Sequence, residues 1–269
     1  MPILGRPDGT YVTKVSVLRR MAPHVMTTRA GATVYFDQRI DLSRTIGWLD
    51  ERGFSLFELM LCGYVRALAT RPDLHRFVVG RRLYQRKDIE LSFAVKKQLA
   101  DGAALTMVKV RFDPDDDVAA VSRRLRDAIG VGRGDVPVAS EKEMMLVTRL
   151  PRVLVRFLVW AQGVLDYFNM LPSSLIRNDP LYASMVVANL GSIGLDAAYH
   201  HLYEYGTVPL FAAIGRVHKA QWVDTAGQVS VRDVVEVRYA FDERIADGFY
   251  AARSLERFKD WIEDPTTLG

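Results

Sequence analysis

The sequence is poor in cysteine and histidine, and these shortages exclude several classes of protein. Cys62 is the single cysteine among 269 residues, so an internal disulfide framework or a zinc site built from several cysteines is excluded. A lone cysteine fits a reducing compartment, and we expect a cytoplasmic location. The first seven residues lack the long apolar core of a signal peptide.

The chain also lacks an uninterrupted apolar run of the roughly 20 residues that a transmembrane helix needs. Its most apolar segment, residues 150–160, is interrupted by Arg152 and Arg156, and Asp166 follows. We therefore favour a helix that is buried or faces a partner. A monotopic membrane contact and a wall that accepts an apolar acyl group remain less favoured alternatives.

Charge of one sign is not concentrated in any tract, although the net charge is +4. The short clusters Arg81-Arg82 and Arg123-Arg124 are interpreted as solvated surface. No nucleic-acid module is present, and an anionic small ligand fits this pattern better than nucleic acid. No residue spacing indicates a metal site, and Gly130–Gly134 is interpreted as a flexible loop rather than a phosphate loop.

What is present is a 49% hydrophobic chain long enough for one large domain or two small ones. Residue patterns predict strands at 33–41, 77–79, 83–84, 89–95, 104–112, 184–188, 209–216 and 231–240. They predict helices over 12–29 with a break near Pro23, from Ser55 to about Thr70, over 117–130 and over 248–263, with a loop at 131–138. Because these elements show no regular βαβ period, the fold class expected is a two-layer α/β sandwich with a mixed sheet, not a Rossmann fold or barrel.

Two segments carry a more specific pattern. Residues 184–194 read Ser-Met-Val-Val-Ala-Asn-Leu-Gly-Ser-Ile-Gly, and residues 241–248 read Phe-Asp-Glu-Arg-Ile-Ala-Asp-Gly. They resemble the T-F-T-I-S-N-L-G-x-x-G and D-H-R-x-x-D-G motifs of chloramphenicol acetyltransferases and the acyltransferase (E2) catalytic domains of 2-oxoacid dehydrogenases. Weaker likeness at residues 18–42, 68–75 and 88–95 follows the same order along the chain.

This resemblance implies a chloramphenicol-acetyltransferase-like fold, a homotrimer or a higher assembly of trimers, and an active site between two subunits. It implies an acyl-CoA or other acyl thioester as co-substrate, with no covalently bound cofactor. We expect a single domain over residues 1–269 with an apolar helical insertion at about 141–178, and no lipoyl or subunit-binding domain before it.

The family's two chemical groups are replaced in this chain. Glu243 stands where the motif histidine, the general base, is expected, and Ala188 stands where a hydroxyl stabilises the oxyanion, next to Asn189. Asp247 and Gly248 keep the structural part of the motif. The resemblance implies an arginine partner for that aspartate, and Arg19 and Arg20 are the candidates.

Three interpretations remain open at this point. Glu243 could itself be the base if burial raised its basicity. A histidine from elsewhere could enter the site, and His200 and His201 are the candidates because an imidazole suits proton transfer near neutral pH. Alternatively, the chain is a catalytically inactive trimeric scaffold or binding protein. The remaining histidines, His24, His75 and His218, are expected to be structural.

Overall fold

The structure, a computed structural model, describes residues 5–96, 105–133, 145, 147–223 and 225–268. Ten strands and seven α-helices have defined bounds in these ranges. The strands are β1 Gly9–Tyr11, β2 Thr33–Asp41, β3 Arg76–Val79, β4 Arg82–Arg86, β5 Ile89–Lys96, β6 Leu105–Phe112, β7 Met185–Asn189, β8 Leu210–Ile214, β9 His218–Val223 and β10 Val229–Asp242. The helices are α1 Val17–Val25, α2 Thr45–Arg52, α3 Leu56–Thr70, α4 Val118–Arg133, α5 Arg152–Tyr167, α6 Ser173–Asn178 and α7 Gly248–Glu263.

A mixed sheet forms one layer of the fold. Its strand order is β2-β10-β8-β7-β5-β6, and β9 pairs with the first half of β10. The pairs β5–β7 and β7–β8 are parallel and the other pairs are antiparallel. Strands β1, β4 and β3 form a separate small sheet. The mixed-sheet α/β fold class predicted from the sequence is thus confirmed.

Helices α3, α4 and α7 form the second layer, on one face of the sheet. Helix α3 starts where the sequence predicts, because Ser55 and Glu58 form a capping box: the Ser55 amide donates to the Glu58 carboxylate at 2.6 Å. Tyr64 of α3 stacks on Phe258 of α7 with ring centroids 4.4 Å apart. The main apolar core lies between these helices and the sheet.

Two element predictions need correction. Helix α4 continues through Gly130 to Arg133, where a flexible loop was expected, because glycine weakens a helix by only about 1 kcal/mol and does not end it. The rest of that loop, 134–138, lies outside the described residues, as do 141–144 and 146 of the expected insertion. The first helix spans only Val17–Val25, with Pro23 inside it.

Opposite the helices, a smaller apolar cluster lies on the other face of the sheet. It includes Val186, Phe211, Ala213 and Ala240, with Ala188 packed at its edge. Because side chains alternate along a strand, Tyr239 and Phe241 of β10 lie on the helix side of the sheet and Ala240 lies on this second face. The candidate site lies at this second face.

One buried histidine sets a pH dependence for the fold. His75 is buried, and its Nε2 lies 2.9 Å from both the Asp88 carbonyl oxygen and the Ser184 hydroxyl. Burial, with a smaller contribution from the nearby Arg86 charge, lowers the pKa of His75 to about 3. The structural role expected for His75 is consistent with this environment.

We expect the free energy of unfolding to fall as the pH drops below about 6.5, the ordinary pKa of histidine. Only the unfolded chain gains a proton on His75 between that pH and about 3, so the slope approaches about 1.4 kcal/mol per pH unit. Urea unfolding between pH 7.5 and 4.5 measures it. His75→Gln should flatten the slope and the exposed His201→Gln should not; equal slopes in both variants would contradict the assignment.

Candidate active site

The motif at the end of β10 folds around a buried carboxylate. Asp242 is 1% exposed, and its two oxygens accept from Nε and Nη2 of Arg244 at 2.8 and 2.7 Å. A second buried guanidinium, that of Arg29, has its Nε 3.9 Å from the same carboxylate. Burial lowers the pKa of Arg29, and the adjacent Arg244 charge acts in the same direction while Asp242 opposes it. One carboxylate therefore holds two buried cations.

Glu243 follows immediately and faces solvent. Its amide donates to the Ala32 carbonyl at 3.0 Å, and its own carbonyl accepts from Nη1 of Arg19. Its carboxylate makes no ion pair within the part of the chain that the structure describes. The backbone of residue 243 is thus fixed while its side chain lies free at the surface of the protomer.

The residues expected to support the site have defined positions. Asp247 caps α7, because its carboxylate accepts from the Tyr250 amide at 2.7 Å. Arg19 binds the turn through the carbonyls of Glu243 and Ala246, the latter at 3.0 Å, rather than through the Asp247 carboxylate. Arg20 is exposed. A Cβ added to Gly248 would meet no atom within 4 Å, so the protomer's own described packing does not require glycine there.

The second motif forms a tight turn after β7. Asn189 accepts from the Ser192 amide at 3.2 Å through its side-chain oxygen, which holds the turn. A Cβ at Gly191 would lie 2.5 Å from the Gly215 carbonyl oxygen, so only glycine allows this approach to the end of β8. Ala188 precedes Asn189 and leaves the sheet on the face of the smaller apolar cluster. Asn189 therefore points to the other face and positions the turn.

Residues 195–206 then cross the sheet face that carries Ala188 and the smaller apolar cluster. Arg238 donates to the Ala197 carbonyl at 2.7 Å, and the Tyr199 hydroxyl donates to Asp37 at 2.5 Å. His200 lies over Phe211, with ring centroids 4.0 Å apart and planes within 1° of parallel. Phe211 pairs with Val186, two residues before Ala188 on the neighbouring strand. The structure thus brings an imidazole to the face of the sheet that carries Ala188.

The hydrogen bonds of His200 fix its tautomer. Its Nδ1 lies 2.7 Å from the His201 carbonyl oxygen, which can only accept, so Nδ1 carries the proton of the neutral ring. Nε2 then keeps a lone pair and lies 3.5 Å from the Tyr203 hydroxyl. His201 is exposed and stacks on the outer side of His200 with centroids 4.9 Å apart. Of the two histidines singled out in the sequence, His200 is the one held in place, and its acceptor nitrogen Nε2 lies beside the Tyr203 hydroxyl.

Arg29 joins the two halves of this region. Its guanidinium donates to the carbonyls of Tyr203, Glu204 and Gly206, the last at 3.0 Å. The Glu204 carboxylate in return accepts from the amides of Arg29 and Ala30 at 3.0 and 2.7 Å. The histidine-bearing segment is therefore clamped to the residues beside Asp242.

Sequence reasoning missed Arg29 and Glu204 entirely. Their partners are backbone groups about 175 positions away, and a single sequence gives no signal for such contacts. It also passed over Asp242 and Arg244 as a pair, although their spacing within the motif could have suggested a local ion pair.

Helix α5 is largely exposed, so of the two alternatives favoured from the sequence, a buried helix is wrong and a helix that faces a partner stays a prediction. Most of its apolar side chains are exposed, including Val153 at 81% and Trp160 at 63%. A separate apolar cavity of about 50 Å³ lies between the sheet and helices α3 and α7, and Tyr64, Tyr239 and Phe258 border it. It lies on the sheet face opposite His200.

Two further features bear on function. Among the described residues, no three histidine, cysteine, aspartate or glutamate side chains are grouped so that they could hold a metal ion. In the same ranges, no helix has both the length and the apolar content that crossing a bilayer requires.

Comparison with known proteins gives a consistent result. Residues 173–269 match the family described as 2-oxoacid dehydrogenases acyltransferase (catalytic domain). No curated protein matches the chain by sequence. Among solved structures, one similar protein is the dihydrolipoamide acetyltransferase of Azotobacter vinelandii, studied for the role of a serine, a histidine and an asparagine in its mechanism, with TM-score 0.61 and 15% identity over 96% of this chain and 94% of that one.

Two other structures share the fold. The cubic core of the pyruvate dehydrogenase multienzyme complex has TM-score 0.60 and 15% identity, covering 96% of this chain and 94% of that one. A chloramphenicol acetyltransferase has TM-score 0.60 and 11% identity, covering 95% and 98%. The chain thus has the chloramphenicol-acetyltransferase fold and, over residues 173–269, matches the acyltransferase catalytic domain family of the 2-oxoacid dehydrogenases, which confirms the resemblance seen in its two motifs.

Proposed function

We propose that the protein transfers an acyl group from coenzyme A, or from a similar thioester, to a small nucleophile, with His200 as the general base in place of the family's motif histidine. One observation carries this proposal: His200 is fixed on the sheet face of Ala188 with Nδ1 bound to a carbonyl, so that Nε2, beside the Tyr203 hydroxyl, is the nitrogen that can accept a proton. The fold and the family match support the class of reaction.

In the proposed reaction, Nε2 of His200 takes the proton of the acceptor's thiol, hydroxyl or amine. The acceptor atom bonds to the thioester carbonyl carbon, the carbon–sulfur bond breaks, and the thiolate leaves with the proton returned by the imidazolium. Ala188 offers no hydroxyl to the tetrahedral oxyanion, and removal of one such donor costs about 10²–10³ in rate. We therefore expect turnover slower than in relatives that keep the hydroxyl.

Glu243 is the weaker candidate for the base. Its carboxylate faces solvent, and in water a carboxylate is a poor base for a thiol or an alcohol. It could gain a partner from a neighbouring subunit, since the open space beside Gly248 leaves room at this turn. We propose that Glu243 contributes to substrate or subunit contacts rather than to proton transfer.

The protein is proposed to assemble as a trimer, with the site between two subunits. Self-association is supported by the similarity to the cubic core of the pyruvate dehydrogenase complex. The mass in solution, measured by light scattering, should be a multiple of three chains of 30.4 kDa. A monomer at micromolar concentration would rule out a site that needs a second subunit.

A second candidate function is that of a catalytically inactive trimeric scaffold or binding protein. The observation in its favour is the double replacement of the family's base and hydroxyl by Glu243 and Ala188. Both candidates predict a trimer, so the mass does not separate them.

Release of free thiol from acyl-CoA separates the two candidates. Purified protein is mixed with acetyl-, butyryl- and octanoyl-CoA and a set of amine, alcohol and thiol acceptors, and the freed coenzyme A is measured with a thiol reagent. We expect release above the rate without protein for at least one donor. Binding of an acyl-CoA without release of the thiol would favour the scaffold. Absence of both binding and release would rule out the acyltransferase.

A further inference from the structure

Helix α5 presents a continuous apolar face to solvent. At 100° per residue, Val153, Phe157, Trp160 and Val164 fall on one side of the helix. Their exposed fractions are 81%, 55%, 63% and 37%. Soluble proteins rarely expose such a patch unless it binds something.

All exposed charge on this helix is positive. Arg152 and Arg156 lie one turn apart along the edge of the apolar face. The single acid of the helix, Asp166, is buried and has its Oδ1 2.7 Å from Nη1 of Arg6. A partner for this surface must therefore offer apolar groups next to negative charge.

An arginine-lined cleft of about 310 Å³ continues this surface at the C-terminal end of α5. Its basic side chains are Arg19, Arg20, His24, Arg81 and Arg82, and none of the described residues that line it is acidic. Nη1 of Arg82 is buried without a hydrogen-bond partner among the described residues. A buried guanidinium nitrogen in that state calls for an anion.

Tyr167 connects the cleft to the apolar face. It lines the arginine cleft, and it also lines an apolar groove of about 390 Å³ together with Trp160, Val164 and Phe168. A site for an anionic group thus lies directly beside a site for alkyl chains. This is the chemistry of an anionic amphiphile.

The helix is rigidly held against the rest of the chain. Arg6 binds Asp166, and Asn169, just after the helix, donates to the Tyr84 hydroxyl at 2.8 Å. On its polar side Gln162 donates to the Tyr205 hydroxyl. The apolar face is therefore presented in a fixed orientation. Because the helix is already formed, binding carries no entropy cost for folding it.

We propose that α5 and the arginine cleft form a docking surface for an anionic phospholipid bilayer, with the apolar face in the interface and lipid phosphates at the arginines. The 16-residue helix is about 24 Å long, and it lies along the surface without crossing it. A two-fold contact with a second copy of the chain fits less well, because it would bring the arginine-bearing edges of the two copies together. The proposal stands whether or not the protein is catalytic.

Co-sedimentation with vesicles tests the proposal. We expect the full chain to bind phosphatidylcholine vesicles that contain phosphatidylglycerol, and to bind pure phosphatidylcholine far more weakly. Phe157→Ser/Trp160→Ser should lower the partition coefficient about tenfold or more, because two aromatic anchors are lost. Arg81→Asn/Arg152→Gln/Arg156→Gln should lower it about a hundredfold, since each arginine near an anionic surface contributes about fivefold.

Matched controls change equally exposed residues elsewhere. Val229→Ser/Val231→Ser alters apolar side chains that are 64% and 68% exposed on β10, and Arg39→Gln/Arg123→Gln/Arg253→Gln removes three arginines outside the surface. Neither control should change vesicle binding more than about twofold. Absence of binding to anionic vesicles would overturn the proposal. So would a fall in molecular mass in Phe157→Ser/Trp160→Ser, because the apolar face would then be a contact between copies.

Discussion

Replacement of His200 by asparagine is expected to lower kcat/KM for acyl-CoA by about 10²–10⁴-fold, the usual contribution of a general base. Asparagine keeps a donor that can reach the His201 carbonyl, now 2.7 Å from Nδ1, but it cannot take up a proton. The stack on Phe211 is lost with the ring, so circular dichroism and thermal unfolding must accompany the kinetics. The measurement is thiol release at subsaturating acyl-CoA.

A pH profile distinguishes a catalytic imidazole from a structural one. The wild-type rate should fall at acid pH, where an imidazole gains a proton and can no longer act as a base. This acid limb should disappear from the residual rate of His200→Asn. A residual rate that keeps the limb would identify another base.

Two variants serve as controls for the choice of His200. His201 is exposed and its ring contacts the rings of His200 and Tyr203, so His201→Asn should lower the rate less than about tenfold. Glu243→Gln keeps the shape of the side chain and should leave the acid limb in place. If kcat/KM fell as much in Glu243→Gln as in His200→Asn, Glu243 at the motif position would be the base.

Replacement of Asp242 by asparagine is expected to cost about 3–5 kcal/mol of unfolding free energy, because two buried guanidinium groups lose their carboxylate. Arg244 binds both oxygens of Asp242, and Arg29 lies 3.9 Å away. The neutral amide cannot accept from both sides or balance either charge. Urea unfolding at pH 7.5 measures the loss.

The matched control is Asp233→Asn. Asp233 pairs with Lys219 at 3.1 Å on the surface, and such pairs contribute less than about 1 kcal/mol. Equal losses in the two variants would show that the Asp242 cluster is no more stabilising than a surface pair. Because Arg29 also holds residues 203–206, Asp242→Asn should loosen the His200 segment and lower acyl transfer as well.

The two motifs could be found from the sequence because each is a short continuous segment. Asp247 caps α7 and Asn189 holds its turn, each through a hydrogen bond from an amide three residues further along the chain. The substitutions at Ala188 and Glu243 were visible for the same reason. The sequence alone does not decide which histidine could replace the base, because His200 and His201 are adjacent and equally polar. The structure separates them, because His200 stacks on Phe211 and its Nδ1 binds a carbonyl, whereas His201 is exposed.

The expected arginine partner of Asp247 shows the limit of transferring a motif residue by residue. Arg19 does reach the turn, as the sequence suggested, but it binds carbonyl oxygens there. The carboxylate that binds arginines is Asp242, five residues earlier. Both carboxylates were in view in the sequence, and only burial distinguishes them: Asp242 is 1% exposed and Asp247 lies at the surface.

The sequence by itself determined the strands with alternating side chains, the capped helix α3 and the two motifs, because all of these depend on residues close together in the chain. Tertiary structure alone decided that His200 faces the sheet, that Arg29 and Arg244 share one carboxylate, and that α5 exposes its apolar face. Each depends on burial and on contacts between distant residues, such as Arg29 with Tyr203. Local patterns do not encode such contacts, because the same side chain is stable in water or in the interior according to which partners the fold supplies.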